Sequence, residues 1–315
     1  MPVGSRSIPF KRTLENADEK GLSKTISTII GILLKEFFLK VKFVPEMAVI
    51  SINDYRMLVF PREQGIHREL FYYRKREPIS TSFLQYSGVL KEGDVVLDIG
   101  ANIGYYALLE SRLVGETGLV YAAEPVISNF KLLEKNIQLN NIGNIQSFQL
   151  AFGAEEAKAE IYISDRCNWC TLNKVAIQDY CVGSQKVSVV PVDSFLEDKI
   201  TPKLIRMDVE GYEYEILQGM TKALEKGVML FMEVHPTTMK SLDGFFEILK
   251  RHGYFVRFAV FEDKVALGRV TDRLMKKGGA VFPLYFTNIH LEDLRKLMNE
   301  LPICAPRVFF QKQVN

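Results

Sequence analysis

Cysteine is scarce in this chain of 315 residues, which has only four: Cys167, Cys170, Cys181 and Cys304. So few cysteines exclude a scaffold built on disulfides and indicate a reducing compartment, so we expect a cytoplasmic protein. The first two have the C-x-x-C spacing of a redox pair or half a zinc site, but no second such pair and no H-x-x-x-H follows them. We interpret all four as ordinary thiols.

Long apolar runs are also missing. The segment TISTIIGILL (25–34) is uncharged over ten residues, whereas a membrane-spanning helix needs about 20. The polar start of the chain indicates no cleavable signal peptide. Two interpretations of this region stay open: peripheral contact of residues 25–43 with a membrane surface, or a helix packed on the main domain or on a partner subunit.

A strong charge of either sign is absent as well, since the net charge is +2. This balance gives no reason to expect nucleic acid as a partner. The content of 47% hydrophobic and 25% charged residues is ordinary for a globular protein with a sizeable core.

From Lys91 onward, short apolar runs alternate with helical patterns, which predicts βαβ units and an α/β fold with a mostly parallel sheet. We expect strands near 94–99, 118–123, 145–150, 186–190, 203–208, 228–234 and 254–260, and helices near 104–114, 127–140, 211–225 and 239–252. Ser128 and Asn129 are candidate caps of the second helix. The predicted organisation is a flexible tail (1–23), an N-terminal extension with a helix (24–90), a core (91–261) and a C-terminal extension (262–315).

The segment GDVVLDIGANIGYY (93–106) joins an apolar strand to an apolar helix through two glycines. In doubly wound sheets, ligands bind at the carboxyl ends of the strands, where this turn lies. Gly100 lets the backbone approach a ligand closely, and Gly104 lets the helix pack against the strand. A tight corner without a ligand would need the same glycines, so glycines alone do not decide the question.

An acidic residue on the second strand favours a ligand site. GLVYAAEP ends in Glu124, 26 residues after Asp98, and an acid there can accept hydrogen bonds from both hydroxyls of a ribose. The dinucleotide pattern G-x-G-x-x-G is missing. The Asp98 carboxylate would repel a pyrophosphate but could receive an ammonium group, directly or through water. We therefore predict S-adenosylmethionine, which carries an ammonium group and no phosphate.

Two later strands bring further ionisable groups to the same edge. LIRMDVEG places Asp208 and Glu210 after one strand, and VMLFMEVHP places Glu233 and His235 at the end of the next. Asp208, Glu233 and His235 are the candidate catalytic bases. The alternatives are helix capping for the acids after the first strand and a hydrogen-bonded strand-end residue for His235. No dedicated ligand cluster is evident, so no metal is predicted.

Six motifs, in their order along the chain, resemble the FkbM family of S-adenosylmethionine-dependent methyltransferases. They are DIGANIGYY, the strand that ends in EP, LAFG, PVDSFL, IRMDVEGYEYEILQG and MEVHP. The similarity covers residues 75–260, and REPIST (76–81) resembles the family's upstream glutamate segment. The resemblance implies a Rossmann-like class I methyltransferase fold, with a seven-stranded, mostly parallel sheet, its last strand antiparallel, and helices on both faces. It also implies methylation of an oxygen, typically a hydroxyl of a sugar, a glycan or a secondary metabolite.

The resemblance also implies site roles: a turn at the methionine end of the cofactor, the ribose acid Glu124, backbone at Ala151 beside the adenine, and an Asp-x-Glu-Gly motif. The full predicted cofactor-binding set is Asp98, Gly100, Ala101, Asn102, Gly104, Glu124, Pro125, Ala151, Asp208 and Glu210. Arg206 stands where the family usually has lysine, and its planar fork differs from a compact ammonium.

Acceptor specificity is expected from the regions outside the similarity and from the loop 164–174. Trp169 and the pair Tyr72 and Tyr73 are candidates for stacking on a sugar ring. Methyl transfer is expected by in-line displacement on a small-molecule or glycan acceptor, without nucleic acid, and the oligomeric state is not predicted. The rival functions are an NAD(P)-dependent oxidoreductase and a non-catalytic scaffold subunit that keeps the methyltransferase fold.

Overall fold

A computed structural model describes residues 44–165, 169–177, 180–260, 285–300 and 305–313. The predicted helix within 25–43 lies outside the described residues. The strands are β1 (Ala48–Ile52), β2 (Tyr55–Val59), β3 (Val95–Ile99), β4 (Leu119–Ala123), β5 (Ile145–Phe148), β6 (Ala151–Phe152), β7 (Ala157–Ser164), β8 (Cys181–Val190), β9 (Leu204–Met207), β10 (Met229–Glu233), β11 (Tyr254–Val260), β12 (Tyr285–Ile289) and β13 (Arg307–Lys312). The helices are α1 (Ile66–Tyr73), α2 (Pro78–Tyr86), α3 (Tyr105–Val114), α4 (Ile127–Leu139), α5 (Val192–Phe195), α6 (Glu213–Gln218), α7 (Thr221–Glu225), α8 (Leu242–Arg251) and α9 (Leu291–Glu300).

The main sheet has the strand order β12-β11-β13-β10-β9-β3-β4-β5. β3 pairs in parallel with β4 and β9, and the parallel pairing continues to β5 on one side and β10 on the other. β13 is antiparallel to both β10 and β11, and β12 adds an antiparallel edge beside β11. The predicted mostly parallel α/β sheet is confirmed, with one edge strand more than the expected seven.

Helices cover both faces of this sheet, as predicted. One apolar cluster packs α5 to α9 against one face, and a second packs the β1–β2 hairpin and α1 to α4 against the other. The central strand β3 has the sequence VVLDI and is buried at every residue, because both of its faces are covered. Among the described residues, no helix has the length and apolar character that a membrane span requires.

Two features of the sheets correct the sequence-based expectations. The strand expected at 186–190 belongs to β8 and lies in a separate three-stranded sheet, β6-β8-β7, outside the main sheet. Its place in the main sheet is taken by β13, which comes from beyond the expected core boundary at residue 261 and inserts between β10 and β11. Local sequence patterns do not reveal this pairing, because it joins residues far apart in the chain.

The helix expected over 211–225 is divided into α6 and α7 at Gly219. A Cβ at Gly219 would lie 2.0 Å from the carbonyl oxygen of Gly153, so the backbone here packs too closely for a side chain. The break therefore follows from tertiary packing, whereas the apolar periodicity continues through it.

Candidate active site

A cavity of about 820 Å³, counted with the space open to solvent, lies at the carboxyl ends of β3, β4 and β9. This is where the chain order reverses, the usual ligand position in a doubly wound sheet. Apolar walls come from residues around β6 and β7: Leu150, Ala151, Phe152, Ile161 and Leu172. Polar groups come from the strand ends and from the segment before α2: Asn102, Glu124, Asn129, Arg206, Asp208, Glu210 and Arg76.

Glu124 follows β4 directly, and backbone N–H groups hold its carboxylate. Asn102 N donates to Oε2 at 2.8 Å, and Val126 N donates to Oε1 at 2.9 Å. Glu124 is 4% exposed, and burial raises the pKa of its carboxyl to about 7 against these hydrogen bonds. The Asn129 side chain also hydrogen-bonds this carboxylate, so one of its four lone-pair sites remains open. The group can therefore still accept a hydrogen bond from a hydroxyl in the cavity.

Asn129 supports Glu124 and does not cap the helix, which corrects the capping prediction. α4 begins at Ile127 after Val126, and no side-chain hydrogen bond caps it. Asn129 lies within the first turn, lines the cavity and hydrogen-bonds the Glu124 side chain. A polar residue near a predicted helix start is typical of a cap, so the sequence did not predict the contact of Asn129 with Glu124.

The turn after β3 touches the turn after β9. Gly100 has a φ of +82°, and a Cβ there would lie 2.1 Å from the carbonyl oxygen of Asp208. Glycine is required both by the left-handed backbone and by the close approach. Gly104 serves helix packing, because a Cβ there would lie 2.8 Å from Leu133 Cδ1.

Asp98 lies behind the cavity wall, where Arg206 holds it. The residue is completely buried, and its Oδ1 accepts a hydrogen bond from Arg206 Nη1 at 2.8 Å. Arg206 Nη2 lies 3.2 Å from Asp208 Oδ2, and its guanidinium lies 3.9 Å from the ring centroid of Tyr106. Burial raises the pKa of Asp98 against the attraction of Arg206. Arg206 lines the cavity and Asp98 does not, so the ammonium contact of Asp98, directly or through water, stays a prediction.

His235 lies between two carboxylates. Its Nδ1 is 2.6 Å from Glu213 Oε1, and its Nε2 is 3.2 Å from Glu210 Oε2. Burial by itself would lower the pKa of the imidazole, but Glu210 and Glu213 outweigh it and raise the pKa well above its usual value. A protonated imidazole cannot accept a proton, so these contacts favour the interpretation of His235 as a hydrogen-bonded strand-end residue over that of a general base.

Glu233 contacts Arg307 on β13, and through Arg307 it is linked to Glu77 before α2. Its Oε2 accepts a hydrogen bond at 2.7 Å from Arg307 on β13, and Arg307 lies 2.8 Å from Glu77 Oε1 at the start of α2. Tyr106 donates to the other Glu77 oxygen at 2.6 Å. Burial raises the pKa of Glu233 to about 8, although Arg307 opposes the shift. The REPIST similarity pointed to Glu77, but no local signal pointed to Arg307.

Asp208, Glu233 and His235 could together hold a metal ion, because one ligand atom from each lies within 4.8 Å of the others. Asp208 and Glu210 do not cap α6, which begins at Glu213 without a side-chain cap. No metal was predicted from sequence because these ligands come from two strands with no recognisable spacing.

Most of the predicted cofactor residues do line the cavity: Gly100, Ala101, Asn102, Glu124, Pro125, Ala151, Asp208 and Glu210. Asp98 and Gly104 lie behind the wall. The loop 164–174 contributes Cys170, Thr171 and Leu172, and Thr171 Oγ1 donates to the carbonyl oxygen of Glu210 at 3.0 Å. The proposed sugar-stacking residues are elsewhere: Trp169 packs edge-on against Tyr180, and Tyr73 is exposed.

Residues 98–256 match the model of the methyltransferase FkbM domain, which is half of the chain. The chain belongs to the FkbM methyltransferase family. Its match begins at Asp98 and ends within β11, so it covers the cavity residues except Ile66 and Arg76, and it leaves out β13 and the β1–β2 hairpin. The resemblance found in the sequence motifs is thereby confirmed.

Two curated relatives of this FkbM chain are methyltransferases by name. It is 29% identical over 148 residues to the hexuronic acid methyltransferase AglP of Haloferax volcanii (46% of this chain, 57% of that one). It is 26% identical over 147 residues to methyltransferase 1 of Beauveria bassiana (40% and 57%). The chain thus spans little more than half the length of these relatives. A solved S-adenosylmethionine-dependent O-methyltransferase from Thermotoga maritima aligns with a TM-score of 0.42 and 15% identity, covering 88% of this chain and 81% of that one.

S-adenosylmethionine is the cofactor of this FkbM chain, and the cavity fits it. The Glu124 carboxylate, fixed by two backbone N–H groups, offers an acceptor for a ribose hydroxyl. Apolar side chains at Leu150, Phe152 and Ile161 offer a surface for the adenine. Acidic groups at Asp208 and Glu210 line the part of the cavity after β9, where a cationic sulfonium and ammonium are electrostatically favourable.

Proposed function

We propose that this protein transfers the methyl group of S-adenosylmethionine to a hydroxyl oxygen of a sugar or glycan acceptor, or of a related secondary metabolite. The observation that carries the proposal is the arrangement of carboxylates at one sheet edge. Glu124, which we assign to the ribose of the cofactor, lines the cavity together with Asp208, and Asp208 lies beside Glu233.

The chemistry is an in-line displacement. The acceptor oxygen attacks the methyl carbon, the C–S bond breaks, and its electron pair stays on sulfur, so the products are the methyl ether and S-adenosylhomocysteine. The hydroxyl loses its proton in the reaction, and a carboxylate base at this edge assists that step. Asp208 and Glu233 are the carboxylates in position, whereas His235 already holds a proton.

The surroundings favour a hydroxyl over a carboxylate as the acceptor. Asp208, Glu210 and Glu233 come together after β9 and β10, each beside a cationic partner, so a candidate base lies where a hydroxyl acceptor needs one. A base would serve no purpose for a carboxylate acceptor, which is already ionised. Similarity to a hexuronic acid methyltransferase supports a saccharide acceptor. The sugar class rests on that similarity, and the choice of the hydroxyl rests on the candidate base.

The test uses labelled S-adenosylmethionine with fractionated glycans, lipids and metabolites from cells. We expect a labelled methyl ether, stable to mild alkali, together with release of S-adenosylhomocysteine. The Glu124→Ala variant is the control and should lose most of this activity at low cofactor concentration. Tight binding of NAD without binding of S-adenosylmethionine would favour the oxidoreductase instead. Cofactor binding with no methyl transfer to any fraction would favour the scaffold.

An alkali-labile product would be a methyl ester. That result would keep methyl transfer but overturn the hydroxyl acceptor, because ethers withstand mild alkali and esters do not.

A further inference from the structure

Three side chains of the metal-ligand type meet beside the cavity after β9 and β10, and each of them is about nine-tenths buried: Asp208, Glu233 and His235. Each also has one of its two polar atoms held by a residue outside this group. Arg206 lies 3.2 Å from Oδ2 of the aspartate, and Arg307 donates to Oε2 of the glutamate at 2.7 Å. Glu213 binds Nδ1 of the imidazole at 2.6 Å.

These outer contacts determine which atoms face inward. With Oδ2, Oε2 and Nδ1 held from outside, the atoms left for an ion are Oδ1, Oε1 and Nε2, of which Nε2 now contacts Glu210 Oε2 at 3.2 Å. Glu233 Oε1 lies 3.9 Å from His235 Nε2, too long for a hydrogen bond but suited to two ligands of one ion. The geometry points to a divalent-cation site formed by Asp208, Glu233 and His235, whose role in catalysis rests on the proposed function.

The His235–Glu213 pair is an independent sign of a metal ligand. Histidines that bind metals almost always donate their other ring N–H to a carboxylate, a carbonyl or a water, and this second contact sets the ring orientation. Glu213 is completely buried, and its Oε1 also accepts from Gly211 N at 3.1 Å. The carboxylate is therefore fixed in place and holds the ring with Nε2 directed toward the other two ligands. A bound cation would displace the proton on Nε2 and its contact with Glu210, because a histidine ligates a metal only through a deprotonated nitrogen.

The donor set suggests the kind of cation. Two carboxylate oxygens and one imidazole nitrogen leave positions open for water or for acceptor oxygens, and carboxylate-rich sets of this type suit Mn²⁺ or Mg²⁺. Arg206 and Arg307 oppose the cation electrostatically, so we expect weak but saturable binding. A hydroxyl bound to such an ion is more acidic than a free one. It would lose its proton to water, and the oxygen would attack the methyl group as described above.

The test measures binding of Mn²⁺ to the whole protein without cofactor or acceptor. Binding is detected as the loss of the six-line electron paramagnetic resonance signal of free Mn²⁺. We expect saturable binding at one site, with Mg²⁺ as a competitor. The Asp208→Asn and Glu233→Gln variants should bind Mn²⁺ at least about tenfold more weakly, as losses at metal sites typically do. Glu197→Gln, which removes an exposed carboxylate paired with Lys222, should bind like the unchanged protein.

Folding of each variant is verified by circular dichroism and by its cooperative unfolding in urea. If a substitution unfolds the protein, the comparison of variants is replaced by the melting temperature of the unchanged protein. We expect Mn²⁺ to raise this temperature and K⁺ to leave it unchanged. Equal Mn²⁺ affinity in all variants, no saturable binding, or binding of Zn²⁺ alone would overturn the proposed site. Each of these results leaves the methyl-transfer test unaffected, since that test does not measure metal binding. Conversely, Mn²⁺ binding without methyl transfer would overturn only the proposed function.

Discussion

Asp98 and Arg206 are direct partners in the register of β3 and β9, and the arginine donates to the aspartate at 2.8 Å across the strand pair. Neighbours in register point to the same side of a sheet, so this buried ion pair follows from the strand pairing. It links the turn that carries the cofactor glycines to the turn that carries Asp208. Arg206 is therefore central to the site, although the sequence presents it only as a departure from the family's usual lysine.

Replacing Arg206 should destabilise the protein strongly. Arg206→Met leaves Asp98 buried without its partner, and breaking a buried pair in this way typically costs about 3–5 kcal/mol. The free energy of unfolding, from urea titration at neutral pH, measures the loss. Lys203→Met, which breaks the more exposed pair with Asp94, should cost only about 0–1 kcal/mol. A similar loss in both variants would contradict the assigned role of Arg206.

Removing the Glu124 carboxylate should weaken cofactor binding while the fold persists. Glu124→Ala is expected to lower the affinity for S-adenosylmethionine by about 1–3 kcal/mol, because the ribose loses its hydrogen-bond acceptor. Isothermal titration calorimetry measures the change, and Glu156→Ala, on the exposed surface, is the control. Unchanged affinity would show that the ribose lies elsewhere.

Cofactor affinity should fall in mild acid. The pKa of Glu124 in the free protein is raised to about 7, whereas a ribose hydroxyl that donates to the carboxylate lowers it in the complex. Affinity is therefore expected to be constant above this pKa and to decrease by up to about tenfold per pH unit below it. Calorimetry between about pH 5.5 and pH 8.5 measures the profile. Glu124→Gln carries no titrating group at this position, so its affinity should be lower and much less dependent on pH.

The close approach of Gly100 to Asp208 can be separated from its backbone conformation. Gly100→Ala puts an alanine in the left-handed conformation and also makes its Cβ clash with the Asp208 carbonyl. Gly88→Ala puts an alanine in the left-handed conformation without a clash, since a Cβ at Gly88 meets nothing within 4 Å. We expect Gly88→Ala to cost about 1–2 kcal/mol of stability. Gly100→Ala should cost clearly more and should also weaken cofactor binding. Equal effects of the two substitutions would mean that the turn relaxes away from Asp208.

The sequence by itself determined the alternation of strands and helices and the acids at the strand ends, because apolar periodicity and glycine turns are local signals. The sequence pointed to Glu124, Asp208 and Gly100 for this reason, and all three line the cavity. Asn129 was assigned to a cap because its contact with Glu124 depends on where α4 begins.

Only the tertiary structure decided which charges meet. The insertion of β13 brings Arg307 to Glu233, and the turn before α2 brings Glu77 to Arg307, across separations in the chain that no local pattern records. Burial and neighbouring carboxylates then made His235 a proton holder and placed Asp98 behind Arg206. Residues far apart in the chain come into contact, and side chains are removed from water, only when the chain packs. The protonation of the ionisable side chains in this site and the choice of their partners depend on both effects.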